Sequence, residues 1–182
     1  MDTSGVDEEL AFLRRFTEHV CGLAPDGGVP RKDFVQYDPD PKCEAGAMYR
    51  VANEACWIIV FRRRPDDESS DPFLEACYIA HEAGHFLIDS ARADWLERMD
   101  WQKLGGRALK AVQGQLLPGE QPLSPDEQQE ILREEKAAWD QAPALLEAAS
   151  FPSKWWDDFK RVRRNCLATY YDGFGIQQPD DS

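Results

Sequence analysis

The sequence predicts an α+β fold, a mostly helical domain with a small antiparallel or mixed sheet placed ahead of one central helix. Three observations carry that expectation. Apolar residues recur at helical spacing over long stretches at both ends of the chain. Short β-branched and aromatic runs fall only between residues 34 and 61. The helical stretch that follows them contains His81-Glu82-Ala83-Gly84-His85.

Size and composition set the frame. At 182 residues the chain fits one domain with a substantial core. Its 42% apolar content and six Trp place it with folded proteins, not disordered ones. One domain is expected over 1–176, with a disordered acidic tail over 177–182. No apolar run approaches the roughly 18 residues of a membrane-spanning helix. A formal net charge of −13 opposes phosphate backbones and anionic lipid, so no direct nucleic-acid or membrane binding is expected. Five cysteines are scattered, odd in number and without a Cys-x-x-Cys pair. Together with an acidic N-terminus that lacks signal-peptide form, they predict reduced thiols and a cytoplasmic location.

The elements follow in order. Leu10, Phe12, Leu13, Phe16 and Val20 share one side of a helix over about 6–20. Gly22 to Pro30 is a breaker-rich loop. Phe34–Tyr37 and Ala47–Val51 read as short strands, with Asn53-Glu54 as a turn after the second. Cys56 to Phe61 is the clearest strand, and its unbroken apolar run predicts burial on both faces. Arg62-Arg63-Arg64 reads as a solvated strand end, or else as a rim for a peptide carboxylate or an acidic loop. A polar loop leads to Asp71-Pro72, a favoured cap and first helical position, and the helix should run to Ile88 or Ser90. Residues 93–114 look helical, with Gly105-Gly106 as a potential break or bend. Ser124-Pro125-Asp126-Glu127 has the form of a capping box opening a helix to about 148, with Pro143 able to bend it. Ser153 is the expected cap of a last helix from Lys154 to about Tyr171.

The chemistry is expected at His81, Glu82 and His85. Residues four apart on a helix stand one turn above one another, so His81 and His85 can share one Zn²⁺. Glu82 lies about 100° round the helix, where it can act as a base on a metal-activated water without being a ligand. The bland reading is an ordinary helix with two histidines. The flanking residues Tyr78, Ile79, Ala83, Phe86 and Leu87 are uncharged and Gly84 is small, which suits a helix buried beside a cleft.

A catalytic zinc site needs a third protein ligand. The chain has three histidines, and the remaining one, His19, lies far upstream on what reads as a solvated helix face. A carboxylate is therefore expected from the helix after Ser124. With Ile131 at zero and about 100° per residue, Ile131, Leu132, Ala138, Trp139, Ala142, Leu145 and Leu146 fill one apolar arc. Glu135 falls at about 40°, the middle of that arc, and Glu134 at about 300°, on its margin. A carboxylate in a buried stripe is costly unless paired or metal-bound, so Glu135 is the expected ligand and Glu134 the reserve. Pairing of Glu135 with Arg133 or a C-terminal arginine is the structural alternative. Asp89 and Cys77 extend the row of His81 and His85, but read better as a helix-end polar residue and a small core residue. An oxyanion donor is sought in Tyr170, Tyr171 or an arginine, against plain packing of both tyrosines at a helix end. Asp140 is a candidate to orient a histidine, or a solvated surface residue. Lys160, Arg161, Arg163 and Arg164 with Trp155, Trp156 and Phe159 read first as an amphipathic core helix, then as an intramolecular partner for acidic loops.

A small sheet directly before a metal-binding helix is a zincin-like layout. The order of parts resembles the ImmA/IrrE family of bacterial and phage metallopeptidases. The residues that carry the likeness are the strand Trp57–Phe61, His81-Glu82-Ala83-Gly84-His85, and Glu135-Lys136-Ala137-Ala138-Trp139. The family's second motif is Glu-x-x-Ala-Asn, with Trp139 here in place of Asn. The resemblance implies a gluzincin-type site: zinc on His81, His85 and Glu135, Glu82 as general base, and cleavage of a specific regulatory protein. The competing expectation is a zinc-binding regulatory or interaction protein on a peptidase scaffold, without turnover.

Overall fold

The computed structural model describes residues 4–24, 31–38, 47–52, 55–61, 71–92 and 94–179. Helix α1 (Ser4–Cys21) is followed by strands β1 (Val35–Asp38), β2 (Ala47–Ala52) and β3 (Ala55–Phe61). Helices α2 (Pro72–Ser90), α3 (Trp95–Val112), α4 (Pro125–Ala148) and α5 (Trp156–Phe174) complete the chain. The fold is the mostly helical α+β arrangement that the sequence predicts. The sheet is mixed, in the order β1-β3-β2: β1 runs parallel to β3, and β2 antiparallel to it with Tyr49 opposite Ile58. Among the described residues β2 is thus an edge strand. No described helix is long and apolar enough to cross a membrane.

One main core joins the layers. Phe12, Phe16 and Val20 of α1, Ile58 and Val60 of β3, and Ile79, Ala80 and Ala83 of α2 are fully buried in it. Trp139, Ala142 and Leu146 of α4 close it on the far side of α2. Helix α2 is therefore sandwiched between sheet and helices, which is why its motif can be dehydrated. A smaller cluster of Ala108, Leu123 and Ile131 ties α3 to α4, with Tyr170 and Phe174 of α5 against it.

Helix starts follow local chemistry. The Asp71 carboxylate accepts from the amides of Phe73 (3.0 Å) and Leu74 (3.1 Å), and Pro72 occupies the first turn, where no amide is needed. Ser124 and Glu127 exchange the two bonds of a capping box. α4 then runs unbroken through Pro143.

Three expectations are corrected. β3 alternates between buried and half-buried positions, with Trp57, Ile59 and Phe61 half-buried: helices cover one face of this three-stranded sheet far more fully than the other. α3 is continuous through Gly105 and Gly106, because a glycine pair weakens a helix without forbidding it. Ser153 caps nothing: it lies in a 3₁₀ turn, and α5 starts at Trp156 without a side-chain cap. The predicted loop 25–30, the Asn53-Glu54 turn, the arginine run 62–64, the polar loop to residue 70, Cys43 and the tail end 180–182 lie outside the described residues.

Candidate metal centre

The site is built where α2 crosses α4. Gly84 makes the crossing close: a Cβ there would stand 2.3 Å from the Ala138 carbonyl oxygen. Glu135 lies three residues before Ala138, so one turn of α4 faces the His81–His85 turn of α2. Trp139, fully buried one turn after Glu135, lies flat on the His81 ring, with centroids 4.4 Å apart and planes 13° apart. That stack fixes the ring's orientation.

His81 Nε2 stands 3.1 Å from Glu135 Oε2, and His85 Nε2 3.6 Å from Glu135 Oε1. Ligand atoms of His81, His85 and Glu135 all lie within 4.8 Å of one another, so the three could hold a metal ion. A test of fit comes from hydrogen bonding. His81 Nε2 and Glu135 Oε2 are buried and neither has a hydrogen-bond partner, although they face each other. Buried polar atoms left unsatisfied cost about 1–3 kcal/mol each. A cation between them satisfies both, and tetrahedral bonds of about 2.0–2.1 Å would space such ligand atoms by roughly 3.3 Å. The histidine–carboxylate separations of 3.1 and 3.6 Å, each to a different Glu135 oxygen, lie on either side of that value, and one ligand atom from each residue falls within 4.8 Å of the others.

Electrostatics agree with the geometry. Burial alone would raise the pKa of Glu135, but the two histidines hold it well below the carboxylate range. Burial opposes charge on His85 and His81 too, yet the carboxylates around them win, and both are raised. The site thus attracts positive charge strongly.

Glu82 is held from two sides. Its Oε2 accepts the backbone N–H of Tyr49 at 2.7 Å, and its Oε1 lies 3.3 Å from His81 Nδ1. Burial works to protonate it, and the neighbouring His81 and His85 outweigh burial and lower its pKa.

No protein family, curated protein or solved structure matches the chain. The site therefore rests on its own geometry.

Around it the structure sorts the remaining candidates. Glu134 lies outside the metal-capable group: one oxygen accepts from Arg92 at 2.5 Å, and the other stands 4.0 Å from His85 Nδ1. Asp89 is buried and receives Arg92 (2.8 Å) and the Tyr49 hydroxyl (3.0 Å), so its carboxylate is committed outside the triad. Cys77 is fully buried in the main core, and His19 sits half-buried on α1. Neither belongs to the metal-capable group. Tyr170 lines a cleft of about 400 Å³ together with Glu82, His85 and Glu135. Burial, then the Glu135 charge, holds its pKa well above the ordinary value, so it stays protonated. Tyr171 instead packs on the main core and does not line the cleft. Asp140 pairs on the surface with Lys136 (2.6 Å) and Arg163 (2.7 Å), not with a histidine. Arg133 is exposed and bonds to Gln129, while Lys160 and Arg161 pair within α5 to Asp157 and Asp158.

Several contributors have no signal in the sequence. Arg92 bridges Asp89 and Glu134 and lies over the Trp101 ring at 4.6 Å, a link that only the placement of α3 creates. Tyr49 acts through its amide, which sequence does not distinguish. Trp139 had one visible sign: it lies four residues after Glu135, on the same stripe.

Proposed function

We propose that this chain is a zinc-dependent metallopeptidase acting in the cytoplasm on a specific, regulatory protein, as the resemblance to the ImmA/IrrE family implies. The observation that carries the reading is the pair of buried, unpartnered atoms on His81 and Glu135, beside His85 and Glu82, at the wall of an open cleft. Two imidazoles and one carboxylate are a donor set suited to catalytic zinc. Zinc held there supplies Lewis-acid polarisation and lowers the pKa of water.

The chain's own groups supply the rest. Glu82 rests as a carboxylate, one oxygen anchored by the Tyr49 amide, and is thus ready to accept a proton. Tyr170 keeps its proton and can donate a hydrogen bond to charge developing on a substrate carbonyl in the cleft. Trp139 fixes the His81 plane, and Arg92 engages one oxygen of Glu134 while the other faces His85 Nδ1, the ring nitrogen opposite the one turned to Glu135. Precise orientation of ligands typically changes metal affinity by about 10–100-fold.

Zinc content measured on wild type, Glu135→Ala and Glu134→Ala tests the site. The expected result is one zinc per chain, lost in Glu135→Ala and retained in Glu134→Ala. Glu82→Gln should keep zinc and lose cleavage. A wild type that takes no zinc on reconstitution, or a fully active Glu82→Gln, refutes the mechanism. Zinc binding with no turnover of any partner would favour the non-catalytic scaffold.

A further inference from the structure

The charges that line the cleft do not all cancel among themselves. Glu82 and Glu135 face the imidazoles of His81 and His85, while Glu134 and Asp89 share Arg92. Two further arginines line the same cleft, Arg50 on β2 and Arg98 on α3. Among the described residues neither forms an ion pair with a carboxylate. Arg98 donates to the main-chain carbonyls of Arg92 (2.9 Å) and Ser90 (3.5 Å), which hold the side chain in place and leave its charge unbalanced. Arg50 is exposed.

Strand and helix bring the two groups together. Tyr49 sends its side chain into the core and its N–H to Glu82 at 2.7 Å, and alternation turns the next side chain, Arg50, to the opposite face. Arg50 thus starts one strand step, about 3.3 Å, from the residue that anchors Glu82. Gln102, one turn beyond Arg98 on α3, accepts from the Val51 amide at 3.4 Å and donates to the Tyr49 carbonyl at 3.2 Å. Tyr49 and Val51 are the residues that flank Arg50. With a divalent cation on His81, His85 and Glu135, the four carboxylates and three guanidiniums lining the cleft leave it one positive charge, in a chain of formal net charge −13. One anionic group neutralises that excess, whereas a dianion overshoots it. A guanidinium presents paired N–H donors that match the two oxygens of a carboxylate.

We infer that Arg50 and Arg98 form a carboxylate-binding subsite, which selects substrates carrying an acidic group within about two residues of the bond at the metal. The inference rests on the peptidase reading of the same cleft and names what its substrate must carry. Arg98, held by two carbonyls, is the fixed charge, and Arg50, exposed on the strand, is the group free to close on the ligand. An Asp or Glu side chain and a C-terminal carboxylate present the same two oxygens, so both belong to this ligand class.

The test uses the full-length chain reconstituted with zinc, as wild type, Arg50→Gln and Arg50→Glu. The probes are hydroxamates, which anchor on zinc. Acetyl-Xaa-Ala hydroxamate extends to one side of the metal and malonyl hydroxamate-Ala-Xaa amide to the other, with Xaa as Glu, Gln or Lys. A further Gln probe ends in a free acid. Calorimetry gives each affinity. In wild type a carboxylate-bearing probe should bind about tenfold tighter than the neutral Gln amide, with Lys weaker still. A gain confined to the Glu probe assigns a side-chain carboxylate, and a gain confined to the free acid assigns a chain end; each supports the subsite. Arg50→Gln should shrink the gain, and Arg50→Glu should turn the preference to Lys, a reversal that misfolding does not produce. All probes within about twofold of one another, or a carboxylate preference that persists in Arg50→Glu, overturns the inference. Zinc content of the same samples separates the two readings. Full zinc with indifferent probes removes the subsite alone, whereas no zinc and no bound probe removes the peptidase and the subsite with it.

Discussion

Gly84→Ala is the sharpest perturbation of the helix crossing that assembles the candidate metal centre. The added methyl would lie 2.3 Å from Ala138 O, 2.9 Å from Ala138 C and 3.0 Å from Ala138 Cα. All three are backbone atoms, so no side chain can swing aside. Reaching ordinary carbon–oxygen contact requires α2 and α4 to separate locally by roughly 1 Å. Overpacking of this kind costs about 1–3 kcal/mol, against which Ala recovers about 1 kcal/mol of helix propensity. Stability should therefore fall only modestly. Metal affinity should fall much further, because the crossing carries His81 and His85 on one side and Glu135 on the other. Ligand misplacement on this scale is expected to weaken zinc by about 10–100-fold. Competition against a chromophoric chelator measures this, with thermal melting of the metal-free protein as the control. A Gly84→Ala protein that binds zinc within about twofold of wild type would show that the crossing does not set the ligand geometry.

Trp139→Ala should destabilise by about 3–5 kcal/mol through its cavity. Trp139→Phe should keep more of the fold yet still weaken zinc, since the flat contact with His81 shrinks; denaturant melts and chelator competition separate the two effects. Gly106→Ala should stabilise by about 0.5–1 kcal/mol in urea melts, because the site is exposed, helical and free of neighbours. Glu127 has its pKa lowered by its bond from the Ser124 backbone, then by the Ser124 side chain and Arg107. A lowered carboxylate contributes stability above its unfolded pKa and loses it as pH falls through the folded one. Melting temperature should therefore drop below about pH 4.3, and Glu127→Gln should flatten that acid limb.

What the sequence showed was local. The Asp71-Pro72 start, the Ser124–Glu127 box and the four-residue spacing of His81 and His85 are decided by neighbours along the chain, and each stands as read. The choice of Glu135 over Glu134 also came from one helix, because a buried stripe has a centre and a margin. What failed depended on packing. The apolar run of β3 looked buried on both faces, since periodicity does not show how fully each face is covered. Ser153 looked like a cap, but Trp155 and Phe151 pull that turn into the main core as a 3₁₀ segment. The role of Arg92 was out of reach, because its pairing with Glu134 follows from where α4 lies against the end of α2.

The charges around the cleft explain why adjacent glutamates on α4 take different parts. Glu134 and Asp89 share Arg92, so one guanidinium is spread over two carboxylates, with the Tyr49 hydroxyl assisting Asp89. Glu82 and Glu135 face the imidazoles of His81 and His85, and Glu82 also accepts from the neutral Tyr49 amide. Two ionised carboxylates at this depth, facing two imidazoles whose outer nitrogens converge, form a place for two positive charges. A divalent cation on Glu135 and the two imidazoles supplies both at once, and leaves Glu82 anionic beside it. The same balance gives Arg92 its value: without it, Glu134 would be a third uncompensated carboxylate next to His85, competing with Glu135 for the cation. A single arginine just beyond the end of α2 thus distinguishes a group of three side chains that could hold one cation from a diffuse acidic pocket.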